Sequence, residues 1–373
     1  MGNTNITNRE VKRRNRNRIY QYMRKRGIVS NPDIAHDLKL SLPTVAQNTK
    51  ELVEKDLLLE SGEMDSTGGR KAKGLVINSN SKMAIGLDIT RNHVGVLLTN
   101  LIGEILVYER IHYPFSETEE FFQGLNDIVE RFIEQHVEQK ERLLGIGISI
   151  PGIVDLNNRE IATSHILGLR GLSFEKFERC FPYPCIFLND ANAGAFAEGL
   201  QDGGRFFYLS LSNTVGGSFF DEGKIMHGKD FRCGEIGHMI LVPDGLPCYC
   251  GKSGCMDSYC NAKKLSYMAD GVLEKFFEEL QQGDAEMKEA WEEYSKYLAI
   301  AVNNIHMVLD CDIILGGYVG SYIGEYIPEI RKKVADCNTF IEDGSFIRAC
   351  NYKVAAAAFG AASYVIESFV EQI

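Results

Sequence analysis

At 373 residues the chain is too long for one ordinary hydrophobic core, since roughly 150 residues per domain implies two or three units. An apolar share of 45% and a charged share of 24% are those of a globular chain and exclude a fibrous or disordered one. The charge is divided unevenly: residues 1–80 hold 15 Lys and Arg against 9 Asp and Glu, a net +6, while the remainder holds 25 against 42, a net −17. A basic segment suited to nucleic acid is thus joined to an acidic body that phosphate backbones repel.

Residues 9–26 interleave Val11, Ile19, Tyr22 and Met23 with nine Lys or Arg and contain neither Pro nor Gly, which predicts a basic amphipathic helix ended by Gly27. Asn31 followed by Pro32 has the pattern of an N-cap and first turn, opening a short helix with Ile34, Ala35 and Leu38 inward. Ser41 can cap a third helix with Pro43 in its first turn. Val45, Leu52 and Val53 of that helix are expected in the core, with Thr44, Gln47, Asn48 and Lys50 outward.

Two short helices so spaced form a helix-turn-helix whose second helix is sized for a major groove, so these four residues are candidates to read bases of double-stranded operator DNA. Residues 57–60 and 74–77 then read as strands around a polar loop with Gly68-Gly69-Arg70-Lys71 at its tip. That is a wing, with Arg70 and Lys71 placed for phosphate or minor-groove contact. The alternative is a small protein-binding bundle whose basic face is merely solvated.

From residue 83 strand runs dominate: 83–89, 94–98 and 104–111, a long amphipathic helix near 117–139, then 143–150. A similar order begins again at 206–211, with a hairpin through Asp221-Glu222-Gly223, a helical region over 261–308 and a strand at 312–315. The body therefore reads as a duplicated α/β unit with a ligand cleft between two lobes. The expected divisions are a DNA-binding domain at 1–80, a small lobe at 81–190 and a large lobe at 191–373, whose last helix can return to the small lobe. No stretch reaches the roughly 18 apolar residues of a membrane span, the longest being 354–366, so no membrane partner is expected. The polar N-terminus lacks a secretory signal, which points to a reducing cytoplasm, where ten cysteines serve as metal ligands or buried groups.

Four motifs, Gly147-Ile148-Ser149-Ile150-Pro151-Gly152, Asn189-Asp190-Ala191-Asn192-Ala193, Gly234-Glu235-Ile236-Gly237-His238 and the loop from Cys248 to Cys255, stand in an order similar to that of the ROK family of repressors and sugar kinases. The helix-turn-helix with Gly68-Gly69-Arg70 extends the resemblance to the family's xylose and N-acetylglucosamine repressor branch. It implies a winged helix-turn-helix followed by an actin-like (ribonuclease H-like) duplicated sugar-kinase fold, acting as a sugar-responsive repressor of carbohydrate-utilisation genes. The pairing of helix-turn-helix units on DNA implies a homodimer or tetramer.

His238, Cys248, Cys250 and Cys255 supply one imidazole and three thiolates, the ligand set of a closed tetrahedral structural Zn²⁺ site, and match the family's zinc motif. Cys180, Cys185, Cys233, Cys260, Cys311, Cys337 and Cys350 have no such spacing and read as ordinary buried residues. A sugar or sugar phosphate is recognised by carboxylates and amides around its hydroxyls, and Asn189, Asp190, Glu235, His238 and Asp257 stand where the family's sugar contacts stand. His238 would then serve metal and ligand with its two nitrogens. Asp257 departs from the Glu usual in the family and is one methylene shorter. The other reading of Asn189-Asp190 is a plain helix cap.

An ATP-dependent sugar kinase is the alternative function. Asp190 keeps the place of the general base, but the resemblance puts Asp88-Ile89-Thr90-Arg91-Asn92 and Ser212-Asn213-Thr214-Val215-Gly216-Gly217-Ser218 where active relatives have glycine-rich phosphate turns. Tyr318 stands after Gly316-Gly317 where a third glycine is expected. The chain is accordingly expected to be no enzyme.

Overall fold

The computed structural model describes residues 8–63 and 73–373. The N-terminal unit comprises α1 (Asn8–Arg26), β1 (Val29–Ser30), α2 (Asn31–Leu38), α3 (Leu42–Glu54), β2 (Leu58–Glu63) and β3 (Lys73–Ile77), with the strands in the order β1-β3-β2. The cap of α2 is Ser30 and not Asn31: its hydroxyl accepts from the Asp33 amide while the Asp33 carboxylate accepts from the Ser30 amide at 3.1 Å, a reciprocal capping box. Ser41 caps α3 as its sequence indicates.

Two five-stranded sheets build the body. The first contains β4 (Met83–Ile89), β5 (His93–Asn100), β6 (Ile105–His112), β7 (Leu143–Ile150) and, after the three-stranded ribbon β8 (Ile153–Asp155), β9 (Glu160–Ser164), β10 (Leu169–Ser173), β11 (Cys185–Asn189). The second contains β12 (Arg205–Leu211), β13 (Val215–Asp221), β14 (Lys224–Ile225), β15 (Asp312–Gly316) and β16 (Ile347–Ala349). Their orders are β11-β7-β4-β5-β6 and β14-β13-β12-β15-β16, and each central strand has an antiparallel neighbour on one side and a parallel one on the other. The two halves therefore repeat one topology, as the recurring strand pattern indicates.

Helices α4 (Glu119–His136) and α5 (Glu175–Glu178) cover the first sheet, and α6 (Asp190–Asp202) leaves its edge. The second sheet is covered by α7 (Asp257–Cys260), α8 (Lys263–Ser266), α9 (Leu273–Gln282), α10 (Ala285–Leu309), α11 (Gly317–Gly320) and α12 (Ile327–Cys337). The chain closes with α13 (Ala356–Val370).

By length and composition the window Lys353–Val370 is apolar enough to cross a bilayer, contrary to the sequence expectation. Its place is instead inside the fold, packed against α6 and against β4, β5 and β7 of the first sheet. Small residues make this possible. A Cβ on Gly360 would stand 1.7 Å from the Ala193 carbonyl oxygen, and one on Gly86 would stand 1.9 Å from that of Ala358, so backbone meets backbone on both faces of the helix.

Candidate functional site

The third helix presents a narrower reading surface than its polar residues suggest. Gln47 and Lys50 are exposed, whereas Thr44 is half-buried and its hydroxyl lies 2.7 Å from that of Ser41. Asn48 is 2% exposed, and its amide donates to the Thr44 carbonyl at 2.7 Å. Outward Asn48 is therefore corrected: three residues after Val45 and four before Leu52, it lies on the same helical stripe as those core residues, whatever its polarity. Arg70 and Lys71 lie outside the described residues.

Much of the basic charge of α1 is spent inside the protein. Lys12 and Arg16 both pair with Glu51 of α3, the latter at 2.7 Å, and these cations hold the Glu51 carboxyl below its usual range. Arg18 donates to the Leu38 carbonyl at 2.9 Å, and Arg24 pairs with Glu367 of α13. Arg13 and Arg14 stay exposed.

In the body, His238, Cys248, Cys250 and Cys255 converge so that all four ligand atoms lie within 4.8 Å of one another. The Cys250 and Cys255 sulfurs are 3.7 Å apart, too far for a disulfide and close to the edge of about 3.8 Å expected for a tetrahedron of thiolates about 2.3 Å from a central zinc. Gly251 and Gly254 turn this loop at φ 85° and 81°, and a Cβ on Gly254 would stand 1.9 Å from the Val242 carbonyl oxygen. The donor set and its spacing fit a closed metal site. The two nitrogens of the histidine face different neighbours: Nδ1 lies 3.9 Å from the Cys248 sulfur, while Nε2 is 3.3 Å from the Tyr249 hydroxyl and 4.0 Å from Glu235.

Nε2 looks toward a cavity of about 240 Å³ that Asn189, Asp190, Glu235 and His238 all line. Four of the five expected sugar residues are thereby brought together. Asn189 is also the N-cap of α6, its carbonyl oxygen accepting from the Ala191 and Asn192 amides and its amide donating to the Gly152 carbonyl at 2.8 Å. Capping and lining are compatible, since the cap holds Asp190 at the cavity floor.

Asp257 does not line the cavity. It is 2% exposed, and its carboxylate accepts from the Val215 amide at 2.6 Å and from the Asn261 amide at 3.3 Å. The shorter side chain ends on the backbone of β13 and acts as a brace for the turn before it. Among the lining residues that the sequence did not mark as a site are His165, Arg232 and Tyr249. Tyr249 lies between the ligand Cys residues and packs 5.4 Å from the rings of both His165 and His238. The aromatic residue inside the cysteine loop was the one available signal.

On the other side of Asp190 lies a second cavity of about 150 Å³, where a kinase would hold phosphates. Two of its backbone donors are already paired with side chains. The Gly317 amide donates to the Tyr208 hydroxyl at 3.2 Å and the Tyr318 amide to the Ser212 hydroxyl at 3.4 Å. Thr90 closes the first turn by accepting from the His93 amide, and Arg91 reaches across to the Leu167 carbonyl at 3.2 Å. Arg110 lies 5.9 Å over the Tyr318 ring.

Burial pushes the Asp88 carboxyl up to about 7, helped by Asp190 and opposed by the Ser149 hydroxyl at 3.0 Å. Burial likewise raises Asp190 to about 6, with hydrogen bonds from the Ala191 amide and Asn189 opposing it. A carboxyl of that kind can accept a hydroxyl hydrogen from a sugar, but next to it the turns that the family resemblance assigns to phosphate carry the side chains of Thr90, Arg91, Ser212 and Thr214.

The ROK family model matches residues 84–368, and that of the winged helix-turn-helix DNA-binding family matches residues 12–58. The xylose repressor of Bacillus spizizenii is 28% identical over 260 residues, covering 68% of this chain and 67% of that protein. The N-acetylglucosamine repressor of Escherichia coli O157:H7 is 27% identical over 319 residues, covering 79% and 78%. Among solved structures, a ROK family transcriptional regulator described as a homologue of the Escherichia coli MLC protein aligns over 97% of this chain and 98% of its own, with 19% identity and a TM-score of 0.78. A ROK family glucokinase from Streptomyces griseus, in complex with glucose and AMPPNP, aligns over 76% and 98%, with 23% identity and a TM-score of 0.64.

Proposed function

As the chain belongs to the ROK family, we propose that it is a sugar-responsive transcriptional repressor of carbohydrate-utilisation genes, working in the cytoplasm without phosphotransfer. The observation that carries this reading is a second cavity lined by Thr90, Arg91, Ser212, Thr214 and Tyr318, at positions where active relatives have glycine, beside a sugar cavity that keeps its polar lining. A kinase needs open glycine-rich turns for its phosphates; a sensor needs only the sugar cavity. In this reading Asn189, Asp190, Glu235 and His238 bind the effector, a sugar or sugar phosphate. Asp190 occupies the place of a general base without a phosphoryl acceptor step to serve.

The residues His238, Cys248, Cys250 and Cys255 would hold Zn²⁺ as a structural clamp that fixes the His238 imidazole at the cavity edge. Gln47 and Lys50 face operator DNA, with Arg70 and Lys71 of the wing, and a homodimer or tetramer pairs two such units on successive major grooves. Metal analysis of the purified protein should find one zinc per chain, and Cys255→Ser should lose it.

The test is a mobility shift on fragments of DNA upstream of the protein's own gene, with and without a panel of pentoses, hexoses, amino sugars and their phosphates, alongside an assay for ADP release. Specific binding relieved by one of these sugars supports the reading. Sugar-dependent ADP release at kinase rates would restore the enzymatic alternative.

A further inference from the structure

The N-terminal unit does not hang from the body by a linker. Ile19, Tyr20 and Met23 of α1 are at most 1% exposed and belong to the same hydrophobic core as Ile366, Val370 and Ile373 at the chain's end. Around that core the polar contacts converge on one side chain. Glu367 pairs with Arg24 through one carboxylate oxygen and accepts from the Gln21 amide at 2.9 Å through the other. Its side chain is 18% exposed and that of Arg24 12%, so water competes weakly for either partner. The Tyr20 hydroxyl adds a bond of 3.0 Å to the Leu101 carbonyl and Asn17 one of 3.2 Å to that of Glu371.

The other end of this arrangement reaches the cleft. Helix α13 and helix α6 touch backbone to backbone at Gly360 and Ala193, and α6 begins at Asp190 in the sugar cavity. A contact with no space for a methyl group has no slack, so α6 and α13 move together. Beyond α1, the pairing of Lys12 and Arg16 with Glu51 ties it to α3. The unbroken series is Asp190, α6, α13, Glu367, α1, α3.

We propose that Glu367 is the positioning residue through which the body sets the orientation of the DNA-reading helix, so that sugar binding at Asp190 is felt at α3 through α13 as a rigid link. This rests on the sugar-responsive repressor reading given above. A linker-borne unit would need no such clamp; here the clamp joins two helices more than 300 residues apart in sequence.

The test uses the full-length protein and the variants Glu367→Gln, Gln21→Ala and the charge exchange Arg24→Glu with Glu367→Arg, with the exposed neighbour Glu371→Gln as control. Hydrogen exchange followed by mass spectrometry reads the clamp without any ligand. Glu367→Gln should speed exchange in the second half of α1 by about tenfold, the factor expected for one lost charge-assisted hydrogen bond, and leave α10 unchanged. Gln21→Ala should give a smaller increase, Glu371→Gln none, and the charge exchange should restore protection.

On the operator and sugar identified by the mobility-shift screen, Glu367→Gln should keep wild-type sugar saturation while the ratio of DNA Kd with and without sugar falls toward one. The charge exchange should recover that ratio. Unchanged α1 exchange in Glu367→Gln, or a wild-type sugar response in that variant, overturns the inference, as does failure of the charge exchange to restore either readout. If the wild type binds no upstream DNA, the repressor reading fails instead, and the exchange experiment still decides whether Glu367 is the clamp.

Discussion

Substituting Gly360 by Ala tests how α13 is held. In an ordinary helix interior this change stabilises, because Ala exceeds Gly in helix propensity by about 1 kcal/mol. Here the new methyl carbon would lie 1.7 Å from the Ala193 carbonyl oxygen, about half a normal contact distance, and the obstacle is backbone, which cannot rotate aside. Relief requires α13 and α6 to separate by well over 1 Å, and α13 is pinned from behind, where a Cβ on Gly86 would stand 1.9 Å from the Ala358 carbonyl.

Overpacking of a core costs about 1–3 kcal/mol even where side chains can adjust, so with no adjustable side chain the upper end of that range, less the propensity gain, leaves a net loss of about 2 kcal/mol or more. With about 2.1 cal/mol/K of unfolding entropy per residue, a loss of about 2 kcal/mol in a chain of 373 residues lowers Tm by about 2–3 °C. Differential scanning calorimetry or a urea titration reads the change. Gly324 supplies the control, since nothing lies within 4 Å of its added Cβ, and Gly324→Ala should be neutral or slightly stabilising. If Gly360→Ala proves as stable as wild type while Gly324→Ala is neutral or slightly stabilising, α6 and α13 do not meet backbone to backbone and are not rigidly linked.

Three further outcomes follow from the site. Asp88 has its native pKa raised to about 7 from an ordinary value near 4, so between those values the folded state binds more protons than the unfolded one and stability falls as pH rises through the window; Asp88→Asn should flatten Tm between pH 5 and 8 and be the more stable form at pH 8. Asp257→Ala should lower stability by about 1–3 kcal/mol by orphaning the buried Val215 amide, yet shift sugar affinity far less than Glu235→Ala, which calorimetric titration with the inducing sugar would compare. Lys50→Ala should weaken operator binding and reduce the slope of log K against log salt by about one, whereas Asn48→Ala should lower the unfolding temperature and leave that slope unchanged.

The relation of these residues to the chain's pattern is instructive. The strand over Leu143–Ile150 and the Ser41 cap are legible because burial on both faces and capping depend on residues adjacent in sequence. The cysteine loop is legible for a similar reason: three of its four ligands lie within eight residues, and only His238 must come from outside. Asn48 misleads because a stripe is set by helical position and not by polarity, and Asp257 because a side chain's type says nothing of which way its short helix points.

What the amino-acid sequence by itself determined, then, is the inventory: a winged basic unit, a duplicated α/β body and one histidine with three cysteines spaced for a metal, to which the family resemblance adds the loss of glycine from the phosphate turns. These are properties of short segments, where propensity, spacing and side-chain chemistry act within a few residues. Tertiary structure alone decided how the inventory is used. It spent Lys12, Arg16 and Arg24 of α1 on Glu51 and Glu367, turned Asp257 from the cavity to Val215, and placed an apolar C-terminal helix between the cavity lined by Asn189 and His238 and the helix-turn-helix unit. Each of those outcomes is a contact between segments distant in sequence, and such contacts are settled by which surfaces can be buried together, a property of the packed whole.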